Sequence, residues 1–369
     1  MSGLKGRRPI KISMPTPQET PEFNLDDKCK IRLTNDSEEI EIAAVELEVI
    51  EELGKGGYGV VERMRHRPSG IIMAVKRIKS SINDESQKRM LVELDTCKKS
   101  DCCPQMVRFY GAMFREGDVW ICMEVMDTSL DKFYRKAFRT GNPITEPFVG
   151  RVALSVIEGL NFMKEQLNLI HRDVKPSNIL LNKYGQVKIC DFGISGHLTN
   201  SIAKTVQAGC KPYMPPERIQ GDAKEAYDVR ADVWSLGITL IEIATGLHPY
   251  DAWKTPFEQL KQVVNEPPPE LPNDGTFSAD CRFFVKRCLE RDHHERPKYP
   301  ELLAMPFMEM VRNERTFSMA GFISMVCAGI AKLNHMPMDQ LDKVSCHVLF
   351  HHVHLAIIVF FKMPIVGYS

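Results

Sequence analysis

The spacing of hydrophobic positions divides the chain into a part rich in strands and a later part rich in helices. Short apolar runs between polar turns predict strands at residues 49–54, 60–64, 71–78 and 119–123. Apolar residues then recur every four positions from Phe148 to Leu160, which predicts a long amphipathic helix. Residues 232–244 are nearly all apolar and predict a helix buried on every side. With further helices predicted at residues 83–99, 257–264 and 278–288, the fold class is α+β.

Residues 171–193 place two acids and an amide at fixed separations, in the sequence HRDVKPSNILLNKYGQVKICDFG. Two apolar runs around a polar turn predict a hairpin over residues 179–189. That hairpin would set Asp173 and Asn178 on one loop and Asp191 at a strand end, so that their oxygen atoms could converge. Hard oxygen ligands suit magnesium shared with substrate phosphates, and Asp173 would be anionic at neutral pH and able to accept a hydroxyl proton. The pattern therefore indicates a phosphoryl-transfer site.

A glycine-rich stretch comes before this site in the chain. Gly54-Lys55-Gly56-Gly57-Tyr58-Gly59, followed by Val61, fits a strand–turn–strand whose backbone N–H groups approach phosphate without obstruction by Cβ atoms. The usual alternative is a dinucleotide-binding fold, but its glycines open a helix, whereas strand residues follow here. The next strand carries Lys76 among apolar residues, and the alternative for this lysine is an ordinary surface position.

Composition narrows the class of protein and its partners. The 369 residues are 43% hydrophobic and 26% charged, which is typical of a globular protein. Lys+Arg and Asp+Glu both number 48, so no global positive field favours nucleic acid or a membrane as partner. The 11 cysteines form no CxxC pair, and the first residues contain no apolar signal sequence. We therefore expect free thiols and a cytoplasmic protein, with the nucleus left open as a second compartment.

The motifs, taken together and in this order, resemble those of the protein kinases, although HRD or DFG alone would be an ordinary turn. The resemblance implies a bilobal fold. A small, mainly-β N-lobe with one long helix would span residues 46–123, a hinge residues 124–127, and a larger, mainly-α C-lobe residues 128–310. ATP and Mg²⁺ are the implied cofactors.

The resemblance also assigns a role to each matching residue. Asp173 would take the proton of the acceptor hydroxyl, and Lys175 would neutralise charge on the transferred group. Lys76, held by Glu93, would orient the α- and β-phosphates, and Met123 would limit the depth of the adenine pocket. The implied nucleotide-binding set is Leu53, Gly54, Lys55, Gly56, Gly57, Tyr58, Gly59, Val61, Ala74, Lys76, Glu93, Met123, Glu124, Met126, Ser177 and Asn178.

Other matching positions complete the metal site or support the fold. Asn178 and Asp191 would hold magnesium. Asp232, at the start of the buried helix, would bond to the catalytic loop. Arg296 would form a structural ion pair with Glu217.

A narrower resemblance is to the dual-specificity MAP kinase kinases. Lys175 is typical of serine/threonine kinases, but Cys210 stands where such kinases usually have Thr. Three segments resemble the MAP kinase kinases of the branch that activates stress-responsive MAP kinases: residues 114–120, 126–131 and 201–205. This implies a stress-activated MAP kinase as substrate, modified on Thr and Tyr, and an upstream MAP kinase kinase kinase that phosphorylates Ser201 and Thr205. The rival reading is a catalytically silent scaffold that docks both partners.

The two ends of the chain differ from the central part. Residues 1–45 contain several prolines and no periodicity, so we predict disorder there. Within them a basic cluster and two apolar residues resemble a docking motif for MAP kinases, with a solvated basic tail as the alternative; these are Lys5, Arg7, Arg8, Ile10 and Ile12.

Towards the C-terminus, residues 311–330 loosely resemble a docking helix for upstream kinases, and residues 331–369 form an atypical tail. The apolar run at 348–361 is shorter than the about 20 residues that span a bilayer, so no membrane span is expected. Its histidines leave metal binding open as an alternative. Pro215 replaces the Ala of the usual Ala-Pro-Glu motif, which makes the geometry of the substrate loop an open question.

Overall fold

The computed structural model describes residues 27–34, 37–56, 59–79, 102–190, 213–220, 228–250 and 255–333. Its first part is built from strands, as predicted. The strands are β1 Lys28–Ile31, β2 Ile40–Ala43, β3 Leu47–Gly56, β4 Gly59–His66, β5 Ile72–Lys79, β6 Phe109–Arg115, β7 Asp118–Met123, β8 Thr128–Ser129, β9 Ile179–Leu181 and β10 Val187–Ile189.

Strands β3 to β7 form one antiparallel sheet in the order β3-β4-β5-β7-β6. Because side chains alternate along a strand, this sheet has two distinct faces. Met73, Val75 and Cys122 lie in a buried cluster on one face. Ile78 and Ile121, on the other face, belong to the core shared with the helical part. Lys76 is paired with Ile121 and lies two residues before Ile78 on β5. Its side chain therefore belongs to the same face as theirs.

The prediction of disorder for residues 1–45 is wrong for its second half. Strands β1 and β2 pair antiparallel, with a short 3-10 helix, Ala44–Glu46, after them. Ile31 and Ile42 are fully buried against the main sheet. Each strand has only four residues, with charged residues between the apolar ones, so neither forms a pattern long enough to be recognised. The predicted docking residues at positions 5–12 lie outside the described residues.

Helices make up the second part. They are α1 Leu130–Arg139, α2 Glu146–Leu167, α3 Pro216–Gln220, α4 Arg230–Thr245, α5 Pro256–Asn265, α6 Ala279–Cys288, α7 Tyr299–Leu303, α8 Pro306–Asn313 and α9 Met319–Leu333. The predicted four-residue periodicity is confirmed in α2, whose periodic residues are all buried. Helix α4 is buried from Ala231 to Ala244, as its uniform hydrophobicity predicts. The predicted helix at 83–99, with Glu93, lies outside the described residues.

The predicted hairpin before the DFG motif is confirmed as β9 and β10. Its turn is closed by the side-chain oxygen of Asn182, which accepts hydrogen bonds from the backbone N–H groups of Tyr184 and Gln186. Gly185 takes a positive φ of 84° in this turn. A Cβ atom at Gly185 would lie 2.8 Å from the backbone nitrogen of Ala320. The start of α9 therefore packs directly on the hairpin.

Helix α9 covers much of the segment predicted to dock upstream kinases. Phe322, Ile323 and Val326 are buried, and the Phe322 ring lies 5.3 Å from that of Phe148 in α2. The helix is thus integrated into the core, and its docking role stays a prediction. None of the helices within the described residues is long and apolar enough to cross a membrane. Residues 334–369 lie outside the described part of the chain.

Candidate active site

The catalytic loop is anchored by the buried acid of α4. The Asp232 carboxylate accepts hydrogen bonds from the backbone N–H groups of His171 (2.9 Å) and Arg172 (2.8 Å) and from the Tyr299 hydroxyl (3.2 Å). Burial raises the pKa of Asp232, and these contacts counteract the rise. Arg172 has a φ of 68°, a left-handed conformation that costs about 1–2 kcal/mol in a residue with a Cβ atom. The two backbone bonds to Asp232 offset that strain and fix the loop.

His171 connects this loop to the strand that leads to Asp191. Its Nδ1 accepts a hydrogen bond from the backbone N–H of Asp173 (3.3 Å), so its Nε2 carries the proton and donates to the carbonyl of Cys190 (2.9 Å). Cys190 is the last described residue before Asp191. The end of β10 is therefore held beside the catalytic loop, although Asp191 itself lies outside the described residues.

Three of the predicted site residues meet at one carboxylate. Asp173 Oδ2 accepts from Lys175 Nζ at 2.8 Å and from Asn178 Nδ2 at 2.9 Å. Asn178 Nδ2 also donates to the Asp173 carbonyl (2.8 Å), while the Asn178 carbonyl accepts from the backbone N–H of Cys190 (3.0 Å). Since the Asn178 amide nitrogen is directed at Asp173, its Oδ1 is the atom offered to a cation. A hard oxygen donor on Asn178, whose backbone carbonyl is hydrogen-bonded to Cys190 just after the end of β10, fits magnesium. Ser177 is exposed next to Asn178 in the 3-10 helix Pro176–Asn178.

The glycine-rich hairpin packs tightly against β5 at Gly59 and is open beside Gly54. Gly59 has a φ of 148°, and a Cβ atom there would lie 1.9 Å from the carbonyl oxygen of Arg77. At Gly54 a Cβ atom would have no neighbour within 4 Å, so open space lies beside the strand. Lys132, on α1, donates to the Leu53 carbonyl at 2.8 Å and ties this hairpin to the helical part. Gly57 and Tyr58 lie outside the described residues.

Replacing Gly59 by Ala should raise the KM for ATP on the order of tenfold, which corresponds to about 1.4 kcal/mol. The new Cβ atom and the positive φ would force the hairpin away from β5. Gly70→Ala is the matched control, because Gly70 also has a positive φ (72°), lies outside the nucleotide-binding set, and a Cβ atom there would meet nothing within 4 Å. Initial-rate kinetics over a range of ATP concentrations would measure both variants, and equal KM values for the two would refute the steric argument.

The predicted phosphate lysine and the pocket residues share one face of the main sheet. Lys76 is buried, with 5% of its surface exposed, and stands opposite Val61 on β4 and Ile121 on β7. Two residues earlier, Ala74 stands opposite Met123. The strands thus bring these predicted residues together, whereas Glu93, the proposed partner of Lys76, lies outside the described residues.

The hinge is held by a lysine that sequence reasoning missed. Lys188 Nζ on β10 lies 2.5 Å from Glu124 Oε1, and the backbone N–H of Arg108 donates to the same oxygen at 2.6 Å. The Glu124 backbone N–H donates to the Arg108 carbonyl (3.0 Å), so its own carbonyl is the group it could offer to adenine. Met126 is buried and packs near Cys190. A charged residue in the middle of a buried three-residue strand was the signal that could have identified Lys188.

Comparison with known proteins decides the family. The protein kinase domain profile matches residues 47–308. Over 315 residues the chain is 80% identical to the dual specificity mitogen-activated protein kinase kinase sek-1 of Caenorhabditis elegans, covering 85% of this chain and 94% of that protein. The chain belongs to the dual-specificity mitogen-activated protein kinase kinases.

Two further relatives of this kinase extend the comparison. It is 48% identical over 260 residues to the MAP kinase kinase mkk-4 of Caenorhabditis elegans, covering 69% of this chain and 71% of that protein. It is 42% identical over 321 residues to the dual specificity mitogen-activated protein kinase kinase hemipterous of Drosophila melanogaster. That match covers 85% of this chain and 27% of hemipterous. Protein kinases generally use ATP and Mg²⁺, which agrees with the donor set at Asn178.

The kinase accommodates Pro215 without losing the helix that follows. The Pro215 carbonyl accepts from the backbone N–H groups of Arg218 (3.1 Å) and Ile219 (3.3 Å), which begins α3. A proline at a helix start loses nothing, since the first N–H groups of a helix have no intrahelical acceptor. Just before it, the Tyr213 carbonyl accepts from the Ser235 hydroxyl at 2.8 Å.

The ion pair predicted to support this region is present. Arg296 Nη1 lies 2.8 Å from one oxygen of Glu217, and Arg296 Nη2 lies 3.2 Å from the other. This bidentate pair ties the start of α3 to the segment before α7. The predicted phosphorylation sites Ser201 and Thr205, together with Cys210, lie outside the described residues.

Proposed function

We propose that this kinase transfers the γ-phosphate of ATP to Thr and Tyr in the activation loop of a stress-activated MAP kinase. The observation that carries the proposal is the hydrogen-bonded set of Asp173, Lys175 and Asn178 on a loop anchored by Asp232. Because these three catalytic positions are all retained and bonded to one another, they support a catalytic role for the chain over that of a silent scaffold. The likeness of residues 114–120 and 126–131 to the stress-activated branch supports the choice of substrate.

Each catalytic residue acts on a different part of the reacting groups. Asp173 accepts a hydrogen bond from the acceptor hydroxyl and takes its proton as transfer proceeds. Lys175, 2.8 Å from the Asp173 carboxylate, places positive charge where negative charge develops on the transferred group. Lys76 orients the α- and β-phosphates. Magnesium, which Asn178 and Asp191 would hold, supplies further neutralising charge.

The direct test is phosphate transfer from radiolabelled ATP to inactive MAP kinases. We expect both phosphothreonine and phosphotyrosine on a stress-activated MAP kinase, and much less label on a growth-factor-activated one. Equal labelling of the two would contradict the assigned branch. No transfer by the phosphorylated full-length chain would instead support the scaffold.

Activation is proposed to depend on Ser201 and Thr205, phosphorylated by an upstream MAP kinase kinase kinase. A phosphate adds about −1.5 to −2 charges at neutral pH. Arg172 precedes the catalytic Asp173, so ordering a phosphorylated loop on its guanidinium would couple modification to the position of the base.

Replacing Ser201 and Thr205 together by Ala should remove the activation by an upstream kinase while ATP binding persists. Glu at both positions should restore it only in part, because a single carboxylate charge is less than that of a phosphate. Rates before and after treatment with the upstream kinase would be compared, with Thr199→Ala as the control. Full activation of the double Ala variant would reject these sites.

Docking of the MAP kinase is proposed to use Lys5, Arg7, Arg8, Ile10 and Ile12. Replacing Arg7, Arg8, Ile10 and Ile12 by Ala should raise the KM for the intact MAP kinase and spare the reaction with a short peptide. A peptide cannot use remote binding energy, so the comparison between the two substrates is the measurement. If the KM for the intact substrate stayed the same, the segment would be a solvated tail.

A further inference from the structure

Two cysteines from distant parts of the chain lie close together on the face of the main sheet that packs against the β1–β2 hairpin. Cys122 lies on β7, is fully buried, and stands opposite Gly111 on β6. Cys29 lies on β1 and is partly exposed. Cys122 belongs to the apolar cluster that joins the N-terminal hairpin to the sheet, and Cys29 packs against that cluster. A hydrogen bond with the Cys29 thiol is the largest cause of the raised pKa of Cys122.

Gly111 makes this approach of the two thiols possible. A Cβ atom at Gly111 would lie 2.9 Å from the Cys29 sulfur and 3.3 Å from the Ile31 side chain. The side chains of paired residues project from the same face of an antiparallel ladder, with Cβ atoms about 4.5–5.5 Å apart. The Cys29 sulfur therefore occupies the place that a side chain at position 111 would take, next to Cys122.

We propose that Cys29 and Cys122 form a reversible disulfide when the kinase is exposed to hydrogen peroxide. The bond would join β1 covalently to β7, the strand that runs into Met123 and the hinge. A disulfide with one partly exposed sulfur is reducible by thiols rather than permanent.

The chemistry balances in two steps. Peroxide transfers one oxygen atom to the Cys29 sulfur, giving a sulfenic acid and one water molecule. The Cys122 sulfur then attacks the Cys29 sulfur, the S–O bond breaks as the S–S bond forms, and the hydroxyl leaves as water with the Cys122 thiol proton. Cys29 reacts first because it is partly exposed, whereas the hydrogen bond to Cys29 and burial raise the pKa of Cys122 and suppress its thiolate.

The site can be mapped on the full-length chain. Cleavage after glutamate gives peptides 23–38 and 117–124, each with a single cysteine. After peroxide treatment, remaining thiols would be alkylated in denaturant and the digest analysed by mass spectrometry without reduction. We expect a linked pair of these peptides as the main oxidised product of Cys29, and its loss on treatment with dithiothreitol.

Variants separate this pair from general thiol oxidation. Cys29→Ser should abolish the linked peptides, and Gly111→Ala should lower their yield because its methyl group displaces the Cys29 sulfur. Cys102→Ser, which removes an exposed thiol, should leave the yield unchanged. Oxidised wild type should also unfold at a higher temperature than oxidised Cys29→Ser, since the bond closes a long loop. Cys29 found as sulfinic acid, or linked to another cysteine, with Cys122 still alkylated, would overturn the proposal.

Discussion

Replacing Asp173 by Asn should lower kcat by about 10²- to 10⁴-fold, the contribution typical of a positioned general base. The amide matches the shape of the carboxylate and can keep one contact to Lys175 or Asn178, so the loop should retain its fold. It cannot take the proton of the acceptor hydroxyl. The KM for ATP should change little, because Asp173 is proposed to act on the acceptor rather than on the phosphates.

Steady-state rates with a MAP kinase substrate, together with nucleotide titrations, would measure this split. Asp280→Asn is the matched control, since Asp280 is exposed at the start of α6 and its change should leave kcat as it is. Asp191→Asn should weaken magnesium-dependent nucleotide binding more than Asp173→Asn does. A wild-type kcat in Asp173→Asn would remove this residue from the chemistry, and equal losses of nucleotide binding would contradict the division of roles.

Much of the site could be predicted because its signals are local. The β9–β10 hairpin and the loop that carries Asp173 and Asn178 depend on residues close together in sequence, and the structure places them together by short hydrogen bonds. The uniform hydrophobicity of α4 likewise identified a central helix. Gly59 was also found from a local motif, although the contact that requires glycine there, with the Arg77 carbonyl, is made by the neighbouring strand β5.

The features that were missed depend on contacts between distant segments. The β1–β2 hairpin is stabilised by packing against β6 and β7, so its four-residue strands carry no strong pattern alone. The pairing of Lys188 with Glu124 joins two elements that only tertiary structure brings together. Pro215 raised doubt because sequence shows the lost N–H, but not that the position begins a helix where no N–H acceptor is needed.

Breaking the pair of Glu217 and Arg296 should cost much stability, because both side chains are buried. Arg296 is fully buried, its Nε donates to the Glu290 carbonyl (2.9 Å) and its Nη1 to the Arg230 carbonyl (2.8 Å). Its guanidinium also lies 5.1 Å from the centre of the Trp234 ring. Removing one partner of such a pair leaves a buried charge without compensation, which costs about 3–5 kcal/mol.

Arg296→Met should therefore lower the free energy of unfolding by about 3–5 kcal/mol, measured as a lower denaturant midpoint with an unchanged slope. Lys286→Met is the control, because its pair with Glu270 is exposed on both sides and such pairs contribute about 0–1 kcal/mol. Adding Glu217→Gln to Arg296→Met should recover part of the loss, since the stranded carboxylate is then gone. If the double variant were no more stable than Arg296→Met, the loss would come from the contacts of Arg296 with Trp234 and the backbone carbonyls. If Arg296→Met were as stable as Lys286→Met, the role of the pair would be refuted.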